Sequence, residues 1–154
     1  MSTSIGCTIR ELGPRDLEAV MSIQAASPEI AQWSLWDYDR VARGEMAGWA
    51  AEIHGEVAGF LVGRRIGSDL EVLNLAVRPD ERRRGVGGAL LQAAISWGKV
   101  HHAENVLLEV RASNLAALRF YERHKFEVVG RRLRYYTAPV EDALLLTASL
   151  RATQ

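Results

Sequence analysis

One stretch constrains this chain more than any other: Val77-Arg78-Pro79-Asp80-Glu81-Arg82-Arg83-Arg84-Gly85-Val86-Gly87-Gly88-Ala89-Leu90. An apolar run stops at Val77, because Pro79 biases its predecessor away from helix. Past the glycines, Ala89, Leu90, Ala93, Ala94 and Trp97 recur at helical spacing. A basic, glycine-rich turn therefore joins a strand to a helix. The first turn of a helix carries unpaired backbone N–H groups and a partial positive charge. Glycine lets that backbone approach a ligand without a Cβ in the way. With Arg82, Arg83 and Arg84 beside it, the turn reads as a cradle for a phosphate or diphosphate. A flexible turn with solvated arginines would account for the glycines alone; the flanking strand and helix favour the anion site.

Three nucleotide motifs compete for such a turn. A Walker loop needs Gly-Lys-Ser/Thr after its glycines, and none stands here. A Rossmann fingerprint needs a third glycine where Leu90 stands, in the first βαβ unit of a parallel sheet. Here several hairpin-like strands come first. The pattern that remains is Arg-x-x-Gly-x-Gly, matched by Arg82, Gly85 and Gly87.

The strand before the turn is one of a series. Thr8 to Glu11 is a short strand, and Pro14 suits the first turn of a helix running to Ala26, with Leu17, Val20, Met21 and Gln24 on one face. A second helix is predicted from Ser34 to Gly44. Trp49 to Ile53 and Val57 to Ile66 flank His54-Gly55-Glu56 as a hairpin, and Leu70 to Val77 comes next. After the glycine-turn helix come a strand at Val106 to Val110, a helix around Leu115 to Tyr121, and a closing pair at Phe126 to Tyr136 and Ala143 to Leu150. The order β, α, α, β, β, β, α, β, α, β, β gives the α/β class, a mixed sheet with helices on both faces.

The chain has 154 residues, which predicts a single domain over 1–154 with a substantial core. Lysine plus arginine and aspartate plus glutamate are 19 each, so bulk charge does not hold it to nucleic acid or membrane. The basic residues cluster nonetheless, at Arg82 to Arg84 and at Arg131, Arg132 and Arg134. A single cysteine, Cys7, excludes an internal disulfide and a cysteine-rich zinc site. Met1 to Thr8 has neither the basic nor the apolar region of a signal peptide, and no apolar run reaches membrane-span length, so a cytoplasmic location is expected. A monomer or weak homodimer is expected.

The chain from roughly residue 8 to 150 resembles the GNAT superfamily of N-acetyltransferases, most strongly from the glycine turn onward. Arg82 to Gly88 matches the superfamily's coenzyme A diphosphate motif. Leu108-Glu109-Val110-Arg111-Ala112-Ser113-Asn114, Ala116-Ala117, Tyr121-Glu122, Arg131-Arg132, Tyr135-Tyr136 and Glu141-Asp142-Ala143 are similar to the RimI-type branch, which acetylates the N-terminal alanine of a small-subunit ribosomal protein. The resemblance implies a central, mostly antiparallel sheet of about seven strands with about four helices, acetyl-CoA as cosubstrate and no metal. A protein N-terminus, that of a ribosomal protein in the branch, is the implied acceptor. It departs at Lys125, where a glycine is usual, implying a differently capped helix end. It departs again at Thr137, where a proline is usual, in a hairpin that looks shortened.

Each candidate site residue has a plainer alternative. Glu109 is a carboxylate late in an apolar strand, costly unless solvated or paired. It is either a strand-end charge paired with Arg111 or, as the resemblance implies, the general base acting directly or through water. Tyr121 is either a core-edge tyrosine or the implied acid that protonates the leaving thiolate. Asn114 either caps a helix, with Ser113 as competitor, or bonds the cofactor. Leu75, Ala76 and Val77 are core strand, and the resemblance implies that their backbone pairs with the pantetheine arm and acetyl carbonyl. Arg82, Arg83, Arg84, Gly85, Val86, Gly87 and Gly88 would hold the diphosphate. Trp33, Trp36, Tyr135, Tyr136 and Glu141 are candidates for the acceptor cleft, or ordinary packing and turn-capping groups. Cys7 is read as structural, so transfer would be direct, in a ternary complex. An α-amino acceptor has a pKa near 8 and is roughly one-tenth neutral at pH 7, against a few in ten thousand for lysine, so it needs only mild base help. A small-molecule amine, a lysine acceptor, a non-catalytic coenzyme A module and a basic nucleic-acid binder are the competing readings.

Overall fold

The computed structural model describes residues 6–151; Met1 to Ile5, part of the segment read above for a leader, lie outside them. Seven strands form one mixed sheet in the order β1-β2-β3-β4-β5-β7-β6, accompanied by four α-helices. The chain divides into two compact units, one built from the chain up to Arg64 with Val72–Trp97, the other from Arg65–Glu71 with Gly98 onward. No helix among the described residues is long and apolar enough to cross a membrane.

The first unit holds β1 (Thr8–Glu11), α1 (Leu17–Ala25), α2 (Leu35–Ala42), β2 (Ala47–Ile53), most of β3 (Glu56–Ile66), the later part of β4 (Asp69–Val77), and α3 (Val86–Val100) as far as Trp97. β1 pairs antiparallel with β2, and β2 with β3. The β2–β3 turn is the two residues His54-Gly55, with φ of 51° and 80°, the left-handed pair that a tight hairpin requires. Its core is apolar: Leu12, Val20, Ile23, Val41, Ala50, Phe60, Val62 and Ala76 are buried, with Tyr38 among them.

Tyr38 brings a polar group inside, and burial without a partner would be costly. Its hydroxyl donates to Gln24 Oε1 and accepts from Asn74 Nδ2 at 2.9 Å. Asn74 also donates to the Ala31 carbonyl, at 2.9 Å. Gln24 in turn holds both main-chain groups of Trp33, donating to its carbonyl at 2.8 Å and accepting from its N–H at 2.9 Å. This network fastens the α1–α2 connection to strand β4.

The helix predicted from Pro14 to Ala26 is split. Pro14–Asp16 is one 3₁₀ turn, and α1 starts at Leu17. Asp16 is the reason: its buried carboxylate accepts from the Gly13 N–H at 2.8 Å and from both ends of the Arg10 fork at 2.8 Å. Arg10 also donates to Glu52 at 2.9 Å, joining β1 to β2.

The second unit holds the start of β4, β5 (Asn105–Arg111), α4 (Leu115–Arg123), β6 (Glu127–Thr137) and β7 (Val140–Ser149). β4 and β5 run parallel through three pairs, Asp69↔Asn105 to Glu71↔Leu107. β5 and β7 pair antiparallel from Asn105↔Ser149 to Arg111↔Ala143. The closing hairpin is short, in line with the shortened hairpin expected from the sequence, but its last strand starts before the expected Ala143. β7 begins at Val140, so only Ala138-Pro139, joined by a cis peptide, separates Thr137 from its partner Val140.

The expected difference in how α4 ends is overturned. Phe126 N–H bonds the Tyr121 carbonyl at 3.0 Å, and Lys125 N–H bonds the Glu122 carbonyl at 3.1 Å, the Schellman pattern. Lys125 takes φ of 73° to make it, so a lysine adopts the conformation that suits glycine.

Arg10 holds the Asp16 carboxyl below its ordinary range, so the pair's contribution to stability is complete above the unfolded-state pKa of about 3.9 and fades as pH falls through the folded-state value. Asp16→Asn should therefore cost about 2–3 kcal/mol in urea unfolding at pH 7, with the gap from wild type closing in acid; a gap unchanged at pH 2 would assign the loss to something other than this charge. Lys125→Gly should gain about 1 kcal/mol, read as a melting temperature about 2–4 °C higher.

Candidate functional site

The glycine turn lies in the first unit. β4 alternates along its length, with Leu70, Val72, Asn74 and Ala76 buried and Leu73, Leu75 and Val77 half-buried. Gly59 on β3 fixes how closely its neighbours approach: a Cβ there would stand 2.9 Å from the Ala76 carbonyl and 3.2 Å from Leu90 Cδ1 on α3. Arg78 N–H bonds the Ala58 carbonyl at 2.7 Å, and its guanidinium meets Asp80 at 3.0 Å, so the chain leaves β4 held at both main chain and side chain. Pro79–Glu81 then makes one 3₁₀ turn.

The three arginines do three different things. Arg82 turns back to the protein, donating from Nε to the Val77 carbonyl at 3.0 Å and from Nη2 to Ser27 Oγ at 3.0 Å. Arg84 lies 3.5 Å from Glu81. Arg83 is exposed, has no ion-pair partner among the described residues, and adopts φ of 65°. Gly85 comes two residues later at φ of 83°. The bond from Ala89 N–H to the Gly85 carbonyl, 3.0 Å, is where the four-residue pattern of α3 begins, so the amides of Val86, Gly87 and Gly88 lie ahead of it. The donor set is thus a run of main-chain amides at the positive end of a 15-residue helix with Arg83 beside it, and its chemistry suits a diphosphate.

The second unit holds the titratable candidates. Val106, Leu108 and Val110 face the core from β5, which places Glu109 on the opposite face. Its side chain is 22% exposed, yet Oε2 is fully buried and makes no hydrogen bond among the described residues. Arg132 Nε stands 3.2 Å from that oxygen, an ion pair whose angle falls outside hydrogen bonding. The expected partner, Arg111, goes elsewhere: it donates to Glu141 Oε1 at 3.2 Å and stacks 4.1 Å over the Tyr136 ring. Burial, and then the Glu109 carboxylate, pushes the Tyr136 phenol up.

Tyr121 is buried on α4 between Phe120 and Phe126, with ring centroids 5.1 and 5.4 Å away, and burial raises its pKa. Its hydroxyl has no hydrogen-bond partner among the described residues. Asn114, not Ser113, caps α4: its Oδ1 accepts from Ala117 N–H at 3.2 Å, leaving its NH₂ group as a donor.

The acceptor candidates divide. Tyr136 joins the Glu109 group, and Tyr135, half exposed, stands edge-on to it at 5.2 Å with Arg132 over its own ring at 5.7 Å. Glu141 is engaged by the protein; Ser113 N–H donates to it at 2.7 Å, and hydrogen bonds from Ser113 and then Arg111 hold its carboxyl below the ordinary range. Trp33 packs against Tyr38 at 5.3 Å in the first unit, and Trp36 is 76% exposed. Sequence reading missed Asn74, Tyr38 and Ser27, and it named Arg132 only within a basic cluster and the branch motif, not as the partner of Glu109. A polar side chain inside the apolar run Leu70 to Val77 was a usable signal for the first; nothing local marks Tyr38, Ser27 or the Arg132 pairing.

Known proteins agree with this architecture. The chain matches the acetyltransferase (GNAT) family over residues 16–126. An N-alpha-acetyltransferase from Sulfurisphaera tokodaii is 34% identical over 156 residues, covering 92% of this chain and 92% of its own. The crystal structure of the ribosomal-protein-S18-alanine N-acetyltransferase from Escherichia coli superposes with a TM-score of 0.84 at 29% identity, over 96% of each chain. That of Ard1 from Thermoplasma volcanium gives 0.86, also at 29% identity, over 96% of this chain and 99% of the other. The turn, the sheet and these relatives together make the chain an acetyltransferase that belongs to the GNAT family.

Proposed function

We propose that the protein transfers an acetyl group from acetyl-CoA to the α-amino group of a protein N-terminus, a ribosomal-protein alanine being the first acceptor to test. The observation that carries it is Glu109 Oε2, a buried carboxylate oxygen with no hydrogen bond among the described residues, in a chain whose relatives act on terminal amines. The whole length is taken as one acetyltransferase domain, because the family match over residues 16–126 draws on both units.

When bound, acetyl-CoA supplies a thioester-activated acetyl group. The amides of Arg83 to Gly88 and the Arg83 guanidinium would hold its diphosphate, and the Asn114 NH₂ group would be a further donor to the cofactor, away from its thiol. The backbone of Leu75, Ala76 and Val77 would line its arm, with the Val77 carbonyl excepted because Arg82 already takes it. Glu109 accepts the proton released by the attacking amine, directly or through a water, and Tyr121 gives a proton to the departing thiolate. Burial keeps the Tyr121 phenol protonated through the neutral range, so that proton is in place. Tyr135 and Tyr136 flank the approach to Glu109. Cys7 supports direct transfer: it is 1% exposed and burial pushes its thiol up, which makes a poor nucleophile near neutrality.

The test is to incubate the protein with acetyl-CoA and peptides that differ at their first residues, with polyamines and a lysine peptide blocked at its N-terminus alongside, and to read product masses. Acetylation of the terminal amine supports the proposal, and transfer confined to polyamines or to the blocked peptide refutes it. Glu109→Gln should lower kcat about a hundredfold at pH 6.5 and at pH 8 alike, because the proton released when the neutral amine attacks has to be taken at either pH; a loss below about threefold would remove Glu109 from the base role. Tyr121→Phe should lower kcat by about two orders of magnitude while acetyl-CoA affinity is retained, and unchanged turnover across pH would remove it from the acid role.

A further inference from the structure

The two hydrogen bonds of Arg82 span 55 residues of sequence within the first unit. Nε closes the glycine turn onto the Val77 carbonyl, and Nη2 reaches Ser27 Oγ at 3.0 Å, with Glu29 Oε1 at 3.7 Å beyond it. Ser27 is fully buried and is where the connection from α1 to α2 begins. Its carbonyl gathers Ile30 N–H at 3.2 Å and Gln32 Nε2 at 3.1 Å, so fixing Ser27 fixes the first half of the connection. The second half is fixed by Asn74 at Ala31 and by Gln24 at Trp33. Of these three anchors only Arg82 belongs to the turn itself.

We propose that Arg82 is not a diphosphate ligand but a positioning residue, through which an occupied glycine turn orders the segment from Ser27 to Ser34. The inference rests on the proposed binding of coenzyme A at Arg83 to Gly88. A ligand that fixes the turn main chain fixes the Arg82 side chain, and with it Ser27. The coupling is reciprocal, since a segment held in place returns the same free energy to the turn. Arg82 is 42% exposed and Glu29 39%, so solvent screens the charge pair and the coupling belongs at the low end of the usual range.

Hydrogen exchange across residues 27–34 tests this, with and without saturating coenzyme A, beside calorimetric titration of the same ligand. The variants are Ser27→Ala, which keeps every main-chain bond of Ser27, and Arg82→Met. Wild-type amides in the segment should exchange about fivefold more slowly when coenzyme A is bound, and both variants should lose that protection and, by reciprocity, bind coenzyme A about fivefold more weakly, to the same extent in each. Wild-type protein that binds coenzyme A with no change in the segment overturns the inference alone. Protection that survives in Ser27→Ala, with coenzyme A affinity falling about tenfold or more in Arg82→Met, overturns it in favour of a phosphate ligand. Wild-type protein that does not bind coenzyme A defeats the proposed function first, and this inference with it.

Discussion

Helix α3 can start where it does only because the main chain reverses hand twice just before it, at Arg83 with φ of 65° and at Gly85 with φ of 83°. Glycine takes that conformation freely, whereas an L-residue at such φ costs roughly 1–2 kcal/mol. The fold carries that cost because both ends of the turn are held: Arg78 to Ala58 and Asp80 on entry, Arg82 to the Val77 carbonyl across it, and the Leu90 side chain against Gly59 on exit. The result is a helix end with three amides ahead of its first four-residue bond and an arginine that no carboxylate among the described residues claims. Solvated arginines on a loose turn would not need this bracing.

A comparable logic holds around Glu109. Alternation along β5 puts three aliphatic side chains into the core and sends Glu109 the other way, onto a face it shares with Arg111. Arg111 would be the nearest cation by sequence, but Glu141 and the Tyr136 ring take it. Arg132 comes within ion-pair range without a hydrogen bond, so charge is balanced while the Oε2 lone pairs stay unused. A buried, charge-compensated oxygen with nothing to accept from costs stability, as unmade hydrogen bonds do. Such a cost is understandable where an incoming amine or water is to be the donor.

The order of elements was legible from period and punctuation, and every strand and helix falls in its predicted place in the chain. Boundaries moved where side chains intervene. Asp16 closes a 3₁₀ turn that periodicity reads as helix, and Val140 extends β7 because a two-residue turn suffices. The cap at Lys125 was misjudged because composition speaks of preference, whereas the Schellman bonds need only that the residue reach positive φ. Glu109, Tyr121 and the turn were found through motif. Their partners were not, since Arg132 meets Glu109 from across 23 positions of sequence and Ser27 meets Arg82 across 55. Pairings of that kind are set by register and by the direction of one exposed side chain, neither of which leaves a local pattern.

The chemistry of the acceptor is constrained by how little base the protein offers. One carboxylate stands at the candidate position, compensated by one arginine, with a phenol nearby that burial and that carboxylate keep protonated. An amine with a pKa near 8 presents roughly one molecule in ten already neutral at pH 7, and a single carboxylate suffices to take the proton released on attack. A lysine side chain near 10.4 presents a few in ten thousand, a deficit of more than two orders of magnitude that such an arrangement would have to overcome by desolvating the ammonium as well. Arg132 works against that second task, because a cation 3.2 Å from Glu109 leaves less attraction for an ammonium arriving charged. The electrostatics therefore favour an acceptor that arrives neutral, which is what a chain terminus can do and a lysine side chain rarely can.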